Sequence, residues 1–429
     1  MSLLSKTNLT VMCLLATTGI QAQPGSGIRI GDQTVLSPSV TANISYNDNL
    51  NLQRRALSRP EEEFSRSESD LYLEGVVSLN LIHRSEQSQY HMRTWYTERQ
   101  YQDFSELNRD TYGASLSWLW TSPHDRTAVD GSISFQQAVD RLETIEEVNP
   151  QVEILEFESA VDRVKRDEFR MRLNLDQQIL QSLRGSLSYV IRDTEYEDDR
   201  FNNSTDQIFT ARLGFDLTPK TKPYLLAGMR LEDSEGLDGH GENPFVSAGV
   251  RYSVSDKINF DGNIGFERFI RTPLVRERDP STGEIIRVPG EELDDEGLKY
   301  SLSLNYAATD KSFFRFGARS GFGSLSNNST NAREETVLSA QFTHRTTDRL
   351  QQTVSLVFQQ NDYEEVFTID DEEIDEVNET YTVQYGMNYQ TVRPWMSFFA
   401  LLSYEDSASE LPNQSYTETQ VTAGITLTY

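Results

Sequence analysis

The chain closes on Val421-Thr422-Ala423-Gly424-Ile425-Thr426-Leu427-Thr428-Tyr429, and the alternation runs through to the terminal carboxylate. Apolar side chains occupy every second position, with Thr and Gly between them. Successive side chains of an extended strand point to opposite faces, so this stretch reads as a strand with one apolar and one polar face. The same pattern recurs upstream at Met396, Phe398, Ala400, Leu402 and Tyr404, at Tyr381, Val383, Tyr385, Met387 and Tyr389, and at Leu298, Tyr300, Leu302, Leu304 and Tyr306. It continues at Ile258, Phe260, Ile264 and Phe266, at Val246, Ala248, Val250, Tyr252 and Val254, at Phe209, Ala211, Leu213 and Phe215, and at Tyr112, Ala114, Leu116, Trp118 and Trp120. Ser, Thr, Asn, Gln, Gly and Arg fill the intervening positions.

With weaker segments included, the reading yields 18 strands: 37–50, 69–83, 88–102, 110–121, 126–140, 165–176, 183–196, 205–218, 222–233, 244–255, 257–271, 297–308, 311–324, 333–345, 350–362, 377–390, 394–405 and 415–429. About 9–11 tilted residues cross the hydrocarbon of a bilayer, and each segment is long enough. The connections alternate in length. Short ones fall at 83–88, 121–126, 218–222, 255–257, 309–311 and 390–393; long acidic ones fall at 51–68, 141–165, 271–296 and 360–376. Short turns at one end and long loops at the other are the outer-membrane barrel pattern. Tyr300 and Tyr306 flank Leu302 and Leu304, and Tyr381 and Tyr389 bracket a further segment, as interfacial aromatic girdles do. An open sheet of this many strands would be hard to cover, whereas closure removes its edges. The expected fold is therefore all-β: a closed antiparallel transmembrane up-and-down β-barrel of about 18 strands (16–18).

Composition narrows the class further. Hydrophobic residues make up 37% of the 429, and acidic residues outnumber basic ones 67 to 39. Disorder is opposed by 19 Tyr, 21 Phe and 4 Trp. A nucleic-acid partner is opposed by the net charge of −28, which repels a polyanion. After residue 22 there is no run of 18 apolar residues, so a helical span is excluded.

Residues 1–22 read as a secretory signal. Lys6 supplies a sparse basic region, residues 9–20 an apolar core, and Ile20-Gln21-Ala22 a cleavage site before Gln23. Cys13 lies within the apolar run and does not follow a lipoprotein box. Cleavage removes one Lys and the single Cys, leaving 38 basic and 67 acidic residues, a net charge of −29, and no thiol for a disulfide or metal site. The expected organisation is a signal at 1–22, a short periplasmic segment at 23–36 and the barrel at 37–429. With residues 23–37 alone ahead of Pro38, no plug domain is expected before the first strand.

The closing segment resembles the C-terminal strand signature of bacterial outer-membrane barrels, in which a terminal aromatic follows alternating apolar residues. That resemblance implies that Val421, Ala423, Ile425, Leu427 and Tyr429 are read by the barrel assembly machinery. At the other end, Leu36-Ser37-Pro38-Ser39-Val40 and Ile44-Ser45-Tyr46-Asn47-Asp48-Asn49-Leu50 are similar to the start of the putative β-barrel porin type 2 family. The resemblance covers about twenty residues and implies an outer-membrane barrel of the kind associated with exopolysaccharide and capsule systems in Gram-negative bacteria. Asp48-Asn49 also fits a simple turn after the strand.

If the apolar set meets lipid, the alternate set lines the lumen. It holds Arg93, Arg170, Arg172, Arg192, Arg212, Arg230, Arg251, Arg315 and Arg319, with fewer acids: Glu74, Asp216, Asp261 and Glu267. The expectation is a positive stripe favouring anionic solutes such as uronic-acid-containing saccharides, strengthened by field focusing in a narrow channel. Local pairing of those arginines with lumenal acids is the alternative. The runs Glu61-Glu62-Glu63 and Asp370-Asp371-Glu372-Glu373, with Asp375 and Glu376, lack calcium-loop spacing and read as a solvated surface.

Three function classes follow. The first is a porin or export conduit, with connections such as 141–165 and 271–296 expected to fold inward and constrict it. The second, a plugged structural or polysaccharide-attachment barrel, is equally compatible with the pattern. The third is an outer-membrane enzyme. His83, His124 and His344 fall at turns, His240 in an outer loop, and only His91 points inward, so no acid–His–nucleophile spacing stands out. The expected answer is no enzyme, no cofactor and no metal; the expected surroundings are outer-membrane lipid and lipopolysaccharide. Intact-mass measurement of the exported protein is expected to show a chain beginning at Gln23; retention of residues 1–22 would remove the export argument.

Overall fold

A computed structural model describes residues 27–49, 69–124, 126–147, 157–197, 203–234, 239–272, 274–278, 285–290, 292–322, 333–369, 372–409 and 415–429. The signal segment with Lys6 and Cys13, and the acids Glu61, Glu62, Glu63, Asp370 and Asp371, lie outside them. A short strand, β1 (Ile28–Ile30), precedes β2 (Thr34–Asn47), β3 (Asp70–Arg84), β4 (Ser88–Tyr101), β5 (Arg109–Thr121), β6 (Thr127–Glu147) and β7 (Phe157–Leu180). Next come β8 (Leu183–Tyr196), β9 (Ser204–Phe215), β10 (Thr221–Ser234), β11 (His240–Ser255) and β12 (Ile258–Thr272). β13 (Leu274–Arg278) and β14 (Ile285–Pro289) form a separate hairpin. β15 (Leu293–Ala307), β16 (Ser312–Phe322), β17 (Arg333–Arg345), β18 (Leu350–Ile369), β19 (Glu372–Gln390), β20 (Met396–Ser409) and β21 (Tyr416–Thr428) complete the wall.

Each wall strand runs antiparallel to its sequence neighbours, with β12 pairing β15 across the small hairpin. The last strand returns to the first: β21 pairs β2 from Ser39 opposite Thr428 to Asn47 opposite Gln420. The result is an 18-strand closed antiparallel barrel. Nearly every backbone group of the wall is thereby bonded to a neighbour, the condition a spanning structure has to meet in hydrocarbon.

The pairing fixes the faces. Directly opposite residues share a face, so Ile264, Tyr300 and Ser320 belong together, as do Gly262, Leu302 and Ala318. On this face the large apolar side chains are exposed, Ile264 at 58% and Phe266 at 70%. Among the described residues the buried apolar ones are few: Ile28, Tyr72, Tyr101, Val164, Tyr224 and Phe269. A water-soluble sheet protein of this size would do the reverse, hiding its apolar face in a core. The exposed apolar band is the face suited to lipid tails. A row of stacked rings crosses its turn end: Tyr306 against Phe314 at 6.0 Å, Phe314 against Phe342 at 4.5 Å, and Phe342 against His344 at 6.1 Å. Amphipathic rings at that height match an interfacial girdle.

Three sequence expectations shift. The connection 141–165 is for the most part strand, not a loop folded into the lumen: the β6–β7 ladder continues unbroken from Thr127 opposite Gln177 to Glu147 opposite Phe157. Likewise β18 and β19 extend the ladder, past one bulge, to Ile369 opposite Glu372. Alternation is blurred there by acids on both faces, which are tolerated where a strand projects beyond lipid. The connection 271–296 contains the β13–β14 hairpin. The first wall strand starts at Thr34 rather than residue 37, and β1 folds back on it, Ile28 opposite Leu36. Gly31, at φ +71°, allows that reversal. Pro38 has no N–H to offer, and it sits where β21 ends, its carbonyl accepting from the Tyr429 N–H at 2.9 Å.

The two faces predict opposite responses to one charge. Leu302→Lys, on the apolar face in mid-strand, is expected to destabilise the barrel by about 2–4 kcal/mol. Ser303→Lys, one residue on and opposite Asp261, is expected to be nearly neutral. Urea unfolding in lipid vesicles measures both; equal effects would contradict the facing.

Candidate functional site: the interior wall

The face turned away from the apolar band is mainly polar, with scattered apolar side chains such as Ile82, Val190, Ile208, Leu226 and Val337. Register places all nine arginines singled out above on it. Arg93 lies opposite Ser115, Ser115 opposite Ser134, Ser134 opposite Arg170, and Arg170 opposite Arg192. Arg172 pairs Ser132, Arg212 pairs Ser186, Arg230 pairs Asn243, Arg251 pairs Asp261, and Arg315 and Arg319 pair Asn305 and Ser301. The alternation that put apolar residues outside therefore brought these cations inside as well.

More acids share this face than the four that alternation alone points to, Glu74, Asp216, Asp261 and Glu267. Glu168, Asp206, Glu232 and Glu335 are there too, and they neutralise part of the arginine set. Arg192 meets Glu168 at 3.1 Å; Arg230 meets Asp206 at 2.9 Å and Glu232 at 2.7 Å; Arg251 meets Asp261 at 3.0 Å; Arg319 meets Glu335 at 3.0 Å. Glu74 is held by Arg99 at 2.5 Å, Asp216 by Lys222 at 3.0 Å, and Glu267 by Lys299 at 2.6 Å. Period-two reading finds which residues share a face, but partner choice depends on register between strands, which no single strand encodes.

The other five arginines make no salt bridge among the described residues, although Asp261 and Asp176 lie near enough to attract Arg212. Arg93 lies 5.5 Å from the Trp95 ring centre. Arg212 stacks over the Tyr224 ring at 3.6 Å. Arg172 donates to Asn174 Oδ1 at 3.3 Å, and Arg315 to Asn305 Oδ1 at 3.2 Å. Arg170 is exposed. Four of these five, Arg93, Arg170, Arg172 and Arg212, belong to β4–β9.

The remainder of the ring differs in kind. From β17 through β21 to β2 the described interior face carries Ser, Thr, Asn and Gln, such as Gln341, Ser355, Gln384, Ser403, Gln420 and Ser45. Consecutive pairs align them: Gln341 with Ser355, Ser355 with Gln384, Gln384 with Ser403, Ser403 with Gln420, and Ser45 with Thr422. Charges there are Glu335, Glu405 and Glu418, plus Arg345 at the turn. The Tyr416 hydroxyl donates to Glu405 at 2.7 Å, and Asn47 donates to Glu418. One arc of the wall is thus cationic in excess, and the facing arc is an amide and hydroxyl surface.

Histidines do not assemble a catalytic group among the described residues. His83 bonds Thr34 Oγ1 and His344 bonds Ser312 Oγ, each at 2.9 Å, and His240 lies 3.4 Å from Glu242. His91 lies opposite Ile82 and Ser117 on the interior face. The described residues hold no group of three or more His, Cys, Asp or Glu side chains placed to bind a metal.

The Glu267 carboxylate is among the most deeply set charges on the wall, with a fully buried side chain held by Lys299 and by the Phe322 backbone N–H. Glu267→Ala would strand Lys299. The expected loss is about 3 kcal/mol, the lower end for a broken buried pair because Lys299 keeps some contact with water. The double variant with Lys299→Met should recover part of it. Urea unfolding of the three proteins measures the coupling, and additive losses would show that the pair does not act as a unit.

Residues 293–429 match the family model described as Putative beta-barrel porin 2. That stretch runs from β15 to the C-terminus. No curated protein matches the chain. Among solved structures, OccAB4 of Acinetobacter baumannii is similar over 94% of this chain and 100% of that one, at 12% identity and a TM-score of 0.43. The FrpB iron transporter of Neisseria meningitidis, F5-1 variant in its apoprotein form, is similar over 93% and 82%, at 8% identity and a TM-score of 0.47. OpdK of Pseudomonas aeruginosa, solved with vanillate, is similar over 92% and 99%, at 9% identity and a TM-score of 0.46.

Proposed function

We infer, with a porin-family match across β15–β21 as the starting point, that this chain is an outer-membrane conduit for polar solutes in a Gram-negative bacterium. The observation that carries the reading is the wall itself: an apolar exterior band, and an interior face lined by arginine, amide and hydroxyl groups. A closed ring of this strand number encloses an aqueous channel rather than a packed core. The arginines on β4–β9 that make no salt bridge among the described residues supply an unbalanced positive field, and the low-dielectric wall around them focuses it. Anionic solutes are the favoured class, and saccharides bearing carboxylates fit both the cations and the hydroxyl-matching arc. An exopolysaccharide is the polymer that joins those chemistries.

Export by a signal at residues 1–22 accounts for delivery to the periplasm. Val421, Ala423, Ile425, Leu427 and Tyr429 form the outward face of the closing strand, where the assembly machinery would read them. Lipopolysaccharide would meet the exterior above the apolar band.

Planar-bilayer recordings test the reading. Under a salt gradient the reversal potential is expected to report anion preference. Arg170→Gln with Arg172→Gln should move it toward neutrality, because neither cation makes a salt bridge among the described residues. Cation preference in the unmodified protein would overturn the anionic assignment, and absence of conductance would overturn the conduit.

A further inference from the structure

Trp95 is an aromatic residue on the wrong face for a lipid girdle. It pairs Ser78 on one side and Gly113 on the other, within the interior row that continues to Gln136. The outward tryptophan Trp118 lies over Gly131 in the same way, on the apolar band. Gly113 explains the posture of Trp95: a Cβ there would fall 2.2 Å from its Cζ2 atom. The missing side chain lets the indole lie flat along the wall, with one face spent on the Gly113 backbone and the other turned inward.

Beside this indole is a cavity of about 250 Å³, lined by Glu74, Thr97, Arg99, Thr111 and Gln136 among others. At the liquid volume of water it would hold about eight molecules, room for one sugar ring. Arg109 and Gln137 line it as well, each with a partner of its own, and the remaining polar groups fall into two sets. Glu74 and Arg99 are occupied: Arg99 donates to Glu74 at 2.5 and 2.9 Å, and Asn43 donates to the other carboxylate oxygen at 3.1 Å. The Thr97 and Thr111 hydroxyls, the Gln136 amide and the indole N–H make no bond to protein among the described residues. The residues that carry those four groups line the cavity. Arg93, two residues along the same interior face and exposed, does not line the cavity but stands beside it, 5.5 Å from the ring centre and without a salt bridge among the described residues.

We propose that Trp95, Gln136, Thr97, Thr111 and Arg93 form a binding subsite for a hexuronate, a pyranose ring bearing one carboxylate. The negative face of the indole accepts the positively polarised C–H face of the sugar. The amide and hydroxyls exchange hydrogen bonds with ring hydroxyls, which both donate and accept as theirs do. Arg93 takes the carboxylate through charge-assisted bonds. A fully apolar ligand would leave the four open polar groups unsatisfied, and an inorganic anion would have no use for the indole. The inference names the ligand class for the conduit reading above, but it concerns binding and not passage.

The test uses detergent-solubilised barrel in which Trp118, Trp120 and Trp395 are Phe, so that Trp95 is the sole indole. D-glucuronate is titrated against its fluorescence, with D-glucose and sodium acetate as comparison ligands. A saturable change is expected with glucuronate, a weaker one with glucose, and none with acetate. Arg93→Gln should weaken glucuronate about tenfold, the worth of a charged hydrogen bond, and leave glucose unchanged. Folding of each variant is checked by heat-dependent gel migration. No change with glucuronate, or an acetate response equal to it, overturns the subsite. Equal loss for glucose and glucuronate in the Arg93 variant overturns the role given to Arg93. A protein that binds glucuronate but does not conduct would retain the subsite and lose the conduit.

Discussion

Backbone hydrogen bonding around a closed ring is the constraint from which the other features follow. In hydrocarbon an unpaired N–H or C=O costs several kcal/mol. Nine aligned pairs from Ser39–Thr428 to Asn47–Gln420 remove the two edges an open sheet would leave. Once the ring is shut, every side chain is committed to one of two environments. The period of two then sorts apolar residues to the outside and polar ones within, and a slip of one residue in any pairing would exchange the sets.

The interior does not behave as a protein core. Most of its groups are charged, amide or hydroxyl, and their arrangement depends on short-range partner choice across strands. Ion pairs such as Arg230 with Asp206 and Glu232 brace neighbouring strands. Other arginines lie beside rings or amides and make no salt bridge among the described residues. Aromatic residues occur on both faces, with glycine opposite in the neighbouring strand, as in Trp95 over Gly113 and Trp118 over Gly131. A planar ring laid over a glycine covers backbone that would otherwise lack side-chain cover.

Much of this was legible in the sequence. Strand number and the facing of segments such as Leu298–Tyr306 follow from alternation alone, as does the grouping of the nine arginines on the face opposite the apolar band. Three things did not. The outer parts of β6, β7, β18 and β19 were hidden because acids on both faces erase the alternation once a strand leaves lipid. Acid partners such as Glu168 and Glu335 were missed because pairing is decided across strands. Trp95 was missed because the search for interior residues followed charge, while the signal available was an aromatic out of phase with Tyr90, Met92 and Tyr96 and a glycine at 113.

The fold-back of β1 has a topological consequence. β1 occupies the edge of β2 just beyond the point where β21 stops, so the first and the last described strands lie side by side at the same rim. A covalent join at that rim, with a cut at one of the acidic connections opposite, would rename the strands and leave every rung in place.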